Sequence, residues 1–295
     1  MVVAHIGLSY KCNMRCRHCY VDKKKDRLSL KDYFNLIDHL CANGLFMLYY
    51  TYGEPLMSDN LWEIIRYVND RNIFQVLMTN GYALDINKAR RLKEDGISSV
   101  CISIDSPYPK NHDANRGIKG GFAAAVKAIQ NCRECMLNVG ISSTVTESNA
   151  KELVGIVDIA KENDVGFVSF LRERRDGDIV PLTEDSNDAY ISFFIDSLCS
   201  KSNAINIKFH DPSLIAVLNI LYDKRKISDV EYEKYHGMNS CHAKGTISIE
   251  SNGDIHYCNL NPCPQGNVLN KDISMILSER FAKNEDIICR SAISK

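Results

Sequence analysis

The sequence lacks an excess of charge of either sign. Its 295 residues carry 36 Lys and Arg against 37 Asp and Glu, a formal net charge of −1. That balance leaves no basic footprint for nucleic acid or for an anionic membrane surface, and neither partner is expected. No stretch approaches the ~18 uninterrupted apolar residues of a membrane-spanning helix. The start, Met1-Val2-Val3-Ala4-His5-Ile6, has no basic segment followed by an apolar run and a cleavage site, so no secretory signal is expected. There is no low-complexity tract. Hydrophobic residues at 45% and charged residues at 25% are ordinary for a soluble globular protein. The length allows one large domain or two modest ones. Cysteine is what the chain has in quantity, with twelve residues. Without an export signal, so many thiols point to a reducing compartment, the cytoplasm, where they serve metals or chemistry rather than disulfides.

Three of them lie in Tyr10-Lys11-Cys12-Asn13-Met14-Arg15-Cys16-Arg17-His18-Cys19-Tyr20. The Asn, Lys and Arg residues between them disfavour a regular strand, so the segment reads as a loop. Three thiolates in a short loop can converge on one metal centre, and thiolates are the usual protein ligands of iron–sulfur clusters. A four-iron cubane held by three of them keeps one iron open, and an open position separates a reactive metal centre from a structural one. A zinc loop with a fourth ligand elsewhere, His18 being one candidate, is the alternative.

Strand-like and helix-like stretches alternate along the chain. Strands are expected at Val2–Leu8, Phe46–Tyr50, Phe74–Met78, Ser98–Ile104, Asn138–Thr144 and Gly166–Leu171. Helices are expected at Leu30–Asn43 behind a Ser29 cap, and at Asn60–Asn72, Asp85–Glu94, Phe122–Glu134, Ala150–Asn163 and Ala189–Lys201. Six such units argue for an α/β fold, a parallel sheet with helices outside, short of the eight units of a closed barrel. In such folds function gathers at the carboxyl ends of the strands, where the cysteine loop falls. Residues 205–240 read as a connector with helical pieces at Ser213–Tyr222 and Asp229–Tyr235. Further on, Thr246–Glu250, the turn Ser251-Asn252-Gly253-Asp254 and Ile255–Tyr257 give a β-hairpin signal, followed by a helix over Ile273–Ala282.

The C-x-x-x-C-x-x-C spacing after a first strand resembles the radical S-adenosylmethionine (SAM) enzymes. The resemblance implies a partial (β/α)6 TIM-like barrel and a 4Fe-4S cluster on Cys12, Cys16 and Cys19. It also implies SAM chelating the open iron through its amino and carboxylate groups. Reduction would then cleave SAM, and the 5′-deoxyadenosyl radical would take hydrogen from a substrate. An electron donor such as flavodoxin or ferredoxin follows from the same resemblance. Gly53-Glu54-Pro55 after the second strand matches a Gly-Gly-Glu-Pro segment that holds the SAM amino group, with Tyr52 in place of the first glycine. Asn80, Ser103, Asp105 and Ser142, and with them Thr144, fall at strand ends used for SAM, although Asp and Ser cap turns in any protein. His18 takes the place of an aromatic residue that packs on the adenine. Arg172, after strand six, is a candidate to grip a substrate carboxylate or phosphate; a solvated charged loop is the other reading, and Arg116 and Lys119 share both. Cys132 and Cys135 form C-x-x-C at a helix end and read as bland thiols, while Cys41, Cys101 and Cys199 read as core.

A second cysteine group follows. The spacing C-x(11)-G-x(4)-C from Cys241 through Gly253 to Cys258 is similar to the opening of SPASM and twitch domains. That similarity implies one auxiliary iron–sulfur cluster, of 4Fe-4S type, on Cys241, Cys258, Cys263 and Cys289. A structural zinc on the same thiolates, with His242 or His256, is the alternative. The expected division is a radical SAM core over 1–204, a helical connector over 205–240 and a twitch-like hairpin-plus-helix domain over 241–295. The expected activity is oxidation, dehydrogenation or cross-linking of a ribosomal peptide or small natural product. Redox-neutral epimerisation with Cys263 as hydrogen donor is an alternative, and a non-enzymatic zinc-binding interaction module is the alternative of another class.

Overall fold

The structure, a computed structural model, describes residues 1–199, 205–239, 246–258, 260 and 263–282. The six expected units are present. Strands β1 (Val2–Gly7), β2 (Leu45–Thr51), β3 (Phe74–Thr79), β4 (Ser99–Ser103), β5 (Asn138–Val145) and β6 (Phe167–Arg172) run parallel to their neighbours in that order. Between them lie α1 (Leu30–Ala42), α2 (Leu61–Asn69), α3 (Ile86–Asp95), α4 (Pro109–Arg116), α5 (Gly121–Glu134) and α6 (Leu153–Glu162). Ser29 opens α1 with a capping box: its hydroxyl accepts the Asp32 N–H at 3.3 Å and Asp32 accepts the Ser29 N–H at 2.8 Å. The amphipathic spacing expected of core-facing helices is seen in α2, where Leu61, Ile64, Ile65 and Val68 are buried.

Several elements exceed the expectation. Helix α4 follows β4 and carries Arg116. The charged loop after β6 closes into a two-residue hairpin, β7 (Arg174–Arg175) with β8 (Asp178–Ile179). After α7 (Glu184–Cys199), the segment expected as a helical connector begins with β9 (Asn206–His210), which pairs in parallel with β6. Helices α8 (Leu214–Asp223) and α9 (Asp229–Asn239) come next. The expected hairpin is β10 (Thr246–Ile249) with β11 (Asp254–His256), turning at Gly253 with φ of +93°. Strand β10 also pairs in parallel with β1, and β12 (Gly266–Asn267) extends the far edge. The hairpin thus continues the main sheet, and α10 (Ile273–Ala282) follows it. No helix among the described residues is long and apolar enough to cross a membrane.

Register assigns each strand two faces. Ala4, Leu48, Val100, Val139, Val168, Ile207 and Ile247 are buried on the face that meets the helices. The opposite face carries His5, Tyr49, Cys101, Ser103, Ser142, Ser169 and Lys208. That face is concave. From β1 to β9 is six strand spacings, about 29 Å in a flat sheet. Yet the His210 imidazole on β9 lies within electrostatic reach of His5 on β1. The sheet therefore curls as a partial barrel, with these side chains lining its interior.

Leu77 on β3 is fully buried between Tyr50 of β2 and Val100 of β4 in register. Leu77→Ala is expected to cost about 2–5 kcal/mol in urea unfolding, because the surrounding strands cannot collapse into the space left. A loss below 1 kcal/mol, taking that as roughly the cost of an exposed site, would contradict this packing.

Candidate metal centre and cofactor site

The loop between β1 and α1 brings Cys12, Cys16 and Cys19 to the carboxyl ends of the strands, and three parts of the fold hold it. From α4, the Arg116 carbonyl accepts the Arg15 N–H at 3.2 Å and the Asn115 carbonyl accepts the Arg17 N–H at 2.9 Å. Gly117 ends α4 with φ of +66°, and a Cβ there would lie 2.4 Å from the Arg15 carbonyl oxygen. From the β2 and β3 ends, Glu54 N–H donates to the Lys11 carbonyl at 2.8 Å and Asn80 Nδ2 donates to Asn13 Oδ1 at 2.8 Å. From the hairpin side, Asp26 accepts the Ser9 and Ser251 hydroxyls at 2.6 Å each and the Tyr10 N–H at 2.9 Å.

Cys12 and Cys16 are half-buried and Cys19 is exposed. Burial pushes the Cys12 thiol up, against a pull downward from the Met14 N–H, which donates to Cys12 Sγ at 3.4 Å. Burial likewise pushes Cys16 up, while the Arg116 guanidinium, 3.9 Å from its sulfur, favours the thiolate. Cys19 lies within electrostatic reach of both. Three thiols on one loop, Cys19 within electrostatic reach of the other two, with N–H and guanidinium donors aimed at sulfur, fit a thiolate-ligated cluster, whose binding would release their protons. Among the described residues, no three Cys, His, Asp or Glu side chains gather around a single ion.

The Gly53-Glu54-Pro55 segment borders this loop. Tyr52 and Gly53 both adopt positive φ, +57° and +55°. A Cβ on Gly53 would sit 2.4 Å from the Ser9 carbonyl oxygen and 2.6 Å from that of Lys11, so only glycine allows the approach. Tyr52 keeps the left-handed turn that a glycine would adopt freely, with its ring buried and edge-on to Tyr20. Glu54 is buried. Its Oε1 accepts the Thr79 hydroxyl at 2.7 Å and the Leu56 N–H at 3.2 Å, and its Oε2 accepts the Asn80 N–H at 2.8 Å. Burial raises its pKa against those three donors. One acceptor position on Oε2 remains beyond these bonds. Pro55 starts a single 3-10 turn.

Asp105 is fully buried just beyond β4 and is held from several sides. Arg116 approaches it with Nε at 2.6 Å and Nη2 at 2.9 Å, the Thr144 N–H donates at 3.0 Å, and His18 Nε2 lies 3.6 Å away. Burial alone would raise the Asp105 pKa; Arg116, His18 and the hydrogen bonds outweigh it, and the net shift is downward. The carboxylate expected to face SAM is thus engaged by the chain itself and sets Arg116 between β4 and Cys16. His18 is tucked against this pair; burial, offset by Asp105 and reinforced by Arg116, lowers its pKa. Ser103 and Ser142 pair in register on the concave face, with Thr144 two residues on, all half-buried.

Arg172 is not brought to this cluster. The alternation of β6 puts it with Val168 and Phe170 on the helix-facing side, in register with Val145. There its Nη2 donates to the Val180 carbonyl at 2.7 Å, Nη1 lies 3.5 Å from Asp211, and its guanidinium sits over the Tyr190 ring. The expectation of a substrate-gripping Arg172 is corrected accordingly. Lys119 is exposed. Cys132 is buried on the core-facing side of α5 and Cys135 half-buried at its end.

Of the second cysteine group, Cys241 and Cys289 lie outside the described residues, as does His242. The Leu260 N–H donates to Cys258 Sγ at 3.4 Å, repeating the pattern at Cys12. Cys263 is exposed. His256 is buried against Glu250, with Nε2 2.8 Å from Oε1. Sequence reasoning missed α4, although Pro109 at its first turn and Gly117 just past its end are the available signal. It also missed the Lys11, Asn13 and Asp26 contacts that fix the loop.

Fold and site together define an α/β protein whose curled parallel sheet presents a thiol trio and a glycine-cradled turn at its carboxyl ends. A family model described as the Radical SAM superfamily matches residues 6–160, more than half of the chain, and the chain belongs to that superfamily. It is 33% identical over 168 residues to the Fe-coproporphyrin III synthase of Methanosarcina barkeri, covering 56% of this chain and 42% of that protein. It is 32% identical over 150 residues to the mycofactocin maturase MftC of Mycobacterium ulcerans, covering 50% and 40%. The matches thus span less than half the length of these relatives. Among solved structures, SuiB of Streptococcus suis bound to precursor peptide SuiA superposes with a TM-score of 0.74 at 17% identity, covering 96% of this chain and 66% of that one. The anSMEcpe structure with bound AdoMet gives 0.70 at 19%, covering 95% and 81%.

Arg116→Met is expected to cost about 3–5 kcal/mol at neutral pH, because it leaves the Asp105 carboxylate buried without its counter-charge. The pH dependence should change sign. In the wild type, the folded pKa of Asp105 is depressed, so its contribution is complete above the ordinary carboxyl value of about 4 and fades as pH falls through the depressed value. In the variant the carboxyl prefers its proton, so stability declines as pH rises. Urea unfolding at pH 3 to 8 measures both; a pH-independent loss would refute the pairing.

Proposed function

We propose that this chain is a SAM-cleaving radical enzyme, with Cys12, Cys16 and Cys19 holding a 4Fe-4S cluster. The observation that carries the reading is the thiol trio at the β1 end, fastened to the Gly53-Glu54-Pro55 turn by the Glu54–Lys11 hydrogen bond and to the β3 end by the Asn80–Asn13 hydrogen bond. When bound, such a cluster supplies the electron that splits SAM and so starts hydrogen abstraction from a substrate. The chain's own residues position and exclude. Arg116, held by Asp105, steadies Cys16, the Gly53 turn keeps its backbone close to the loop, and the remaining acceptor position of Glu54 is available to an ammonium group. Ser103, Ser142 and Thr144 offer hydroxyls from the concave face, and the neutral His18 ring offers a flat surface beside them.

Cys258 and Cys263, with Cys241 and Cys289, are proposed to hold an auxiliary cluster, and flavodoxin or ferredoxin to supply electrons. The substrate is proposed to be a peptide or a small natural product. The names of the relatives, a porphyrin-type synthase and a mycofactocin maturase, span both classes. The exposure of Cys263 favours a second reading, in which it returns a hydrogen atom in a redox-neutral epimerisation.

The anaerobically reconstituted protein should bind about eight irons with matching sulfide and convert SAM to methionine and 5′-deoxyadenosine under dithionite. Cys12→Ala, Cys16→Ala and Cys19→Ala should each abolish that cleavage. Zinc without sulfide would overturn the proposal in favour of a zinc-binding module. In Cys263→Ala, loss of about half the iron marks a ligand; full iron with hydrogen abstraction but no turnover marks a hydrogen donor.

A further inference from the structure

The concave wall away from the cysteine loop carries a cation that no carboxylate matches among the described residues. Lys208 lies on β9, in register with Ser169 and so two strands beyond Ser142. Its ammonium sits 4.4 Å from the centroid of the Phe167 ring. The tip of that ring fills the space over Gly140 on β5, where a Cβ would meet it at 2.2 Å. No carboxylate lies within 4.0 Å of Lys208 among the described residues. Two of the buried arginines are paired with carboxylates, Arg116 with Asp105 and Arg172 with Asp211.

Two imidazoles share this wall. His210 is two residues on from Lys208 along β9, and His5 approaches from β1, its ring stacked on Tyr49 at 4.5 Å and 8°. His210, at the exposed end of β9, has its pKa lowered to about 4 by desolvation of the ring and by the Lys208 charge, and desolvation with His210 lowers the half-buried His5 to about 4. Both rings are therefore neutral at physiological pH and offer N–H donors without adding charge. The local total is one positive charge. A half-buried ammonium without a counter-ion is costly unless solvent or a ligand compensates it. One positive charge flanked by neutral donors matches a single carboxylate better than a phosphate dianion.

We propose that Lys208, with His210 and His5, forms the seat for a carboxylate of the substrate inside the barrel. The seat rests on the reading above that the concave face holds SAM and substrate. Lys208 Cα lies two strand spacings, about 10 Å, from that of Ser142. An acid-bearing substrate anchored there would keep its far part near the hydroxyls assigned to SAM.

Histidine-labelled holoenzyme, titrated with acetate and followed by NMR of the imidazole signals, tests the seat. Acetate should shift the His5 and His210 signals saturably, acetamide should not, and inorganic phosphate should bind more weakly than acetate. Lys208→Met should weaken acetate binding by about tenfold or more, the value of one charge-assisted hydrogen bond. Lys208→Arg, which keeps the charge and guards against a folding artefact, should restore most of it. Equal acetate binding in Lys208→Met, or no saturable shift in the wild type, overturns the seat; tighter phosphate overturns the carboxylate assignment. Wild-type SAM cleavage reads the other proposal separately. Cleavage without acetate binding removes only the seat, and acetate binding without cleavage removes only the radical chemistry.

Discussion

The buried pair of Asp105 and Arg116 is the constraint on which the site depends. It joins the end of β4 to the last turn of α4, and the same guanidinium reaches Cys16. Neither partner tolerates the interior alone, since a buried unpaired charge costs several kcal/mol. The carboxylate satisfies the arginine, the Thr144 N–H draws in the end of β5, and His112 accepts the Asp105 N–H to close the turn. Helix α4 is therefore held by polar contacts, with His112, Asn115 and Arg116 as its buried residues. Its last carbonyls then fix the cysteine loop through Arg15 and Arg17. A loop rich in Asn, Lys and Arg has little apolar surface of its own to hold it, so its geometry is borrowed from this pair.

The curl of the sheet supplies the second constraint. Strand alternation gives large aliphatic residues to the helix side and smaller or polar ones to the concave side. Ser103, Ser142 and Ser169 fall in one register row, and such a row leaves room where bulky residues would fill the barrel. Period two also explains Arg172. Val168 and Phe170 commit the outward face of β6 to the helices, and Arg172 follows them. Asp211 and Tyr190 then convert an unfavourable burial into a structural contact.

How much of this the amino-acid order carries differs by element. The thiol trio, the Gly53-Glu54-Pro55 turn and the strand–helix alternation are legible because each rests on local chemistry: ligand spacing, backbone freedom or apolar periodicity. Helix α4 is not, because Pro-Lys-Asn-His-Asp-Ala-Asn-Arg has no apolar stripe, and its buried residues are the polar ones named above. Strand β9 escaped notice for a related reason. Its five residues, Asn-Ile-Lys-Phe-His, alternate correctly, yet so short a run gains its strand character only from pairing with β6. The parity of Arg172 was available in Phe-Val-Ser-Phe-Leu-Arg, where the aliphatic and aromatic positions already define the outward face. What no local pattern contains is the approach of His5 on β1 to His210 on β9, which the curl of the whole sheet brings within electrostatic reach.

The sheet also ties the hairpin to the site. Strand β10 lies beside β1, so Glu250 at its end faces Tyr10 at the start of the cysteine loop, and the two side chains pair. Glu250 is held in turn by His256 across the hairpin and approached by Lys24 from the returning loop. Burial raises the Glu250 pKa, but these partners outweigh it and hold the carboxyl ionised. Asp26 adds a second bridge, taking hydroxyls from Ser9 on one side and Ser251 on the other. Tyr52 lies within electrostatic reach of both Glu250 and Cys258. A displacement of the hairpin would therefore be felt at the thiol trio through hydrogen bonds rather than apolar contacts, and directional bonds transmit position more strictly than apolar packing does. The hairpin and the cysteine loop are thus positioned by one polar network.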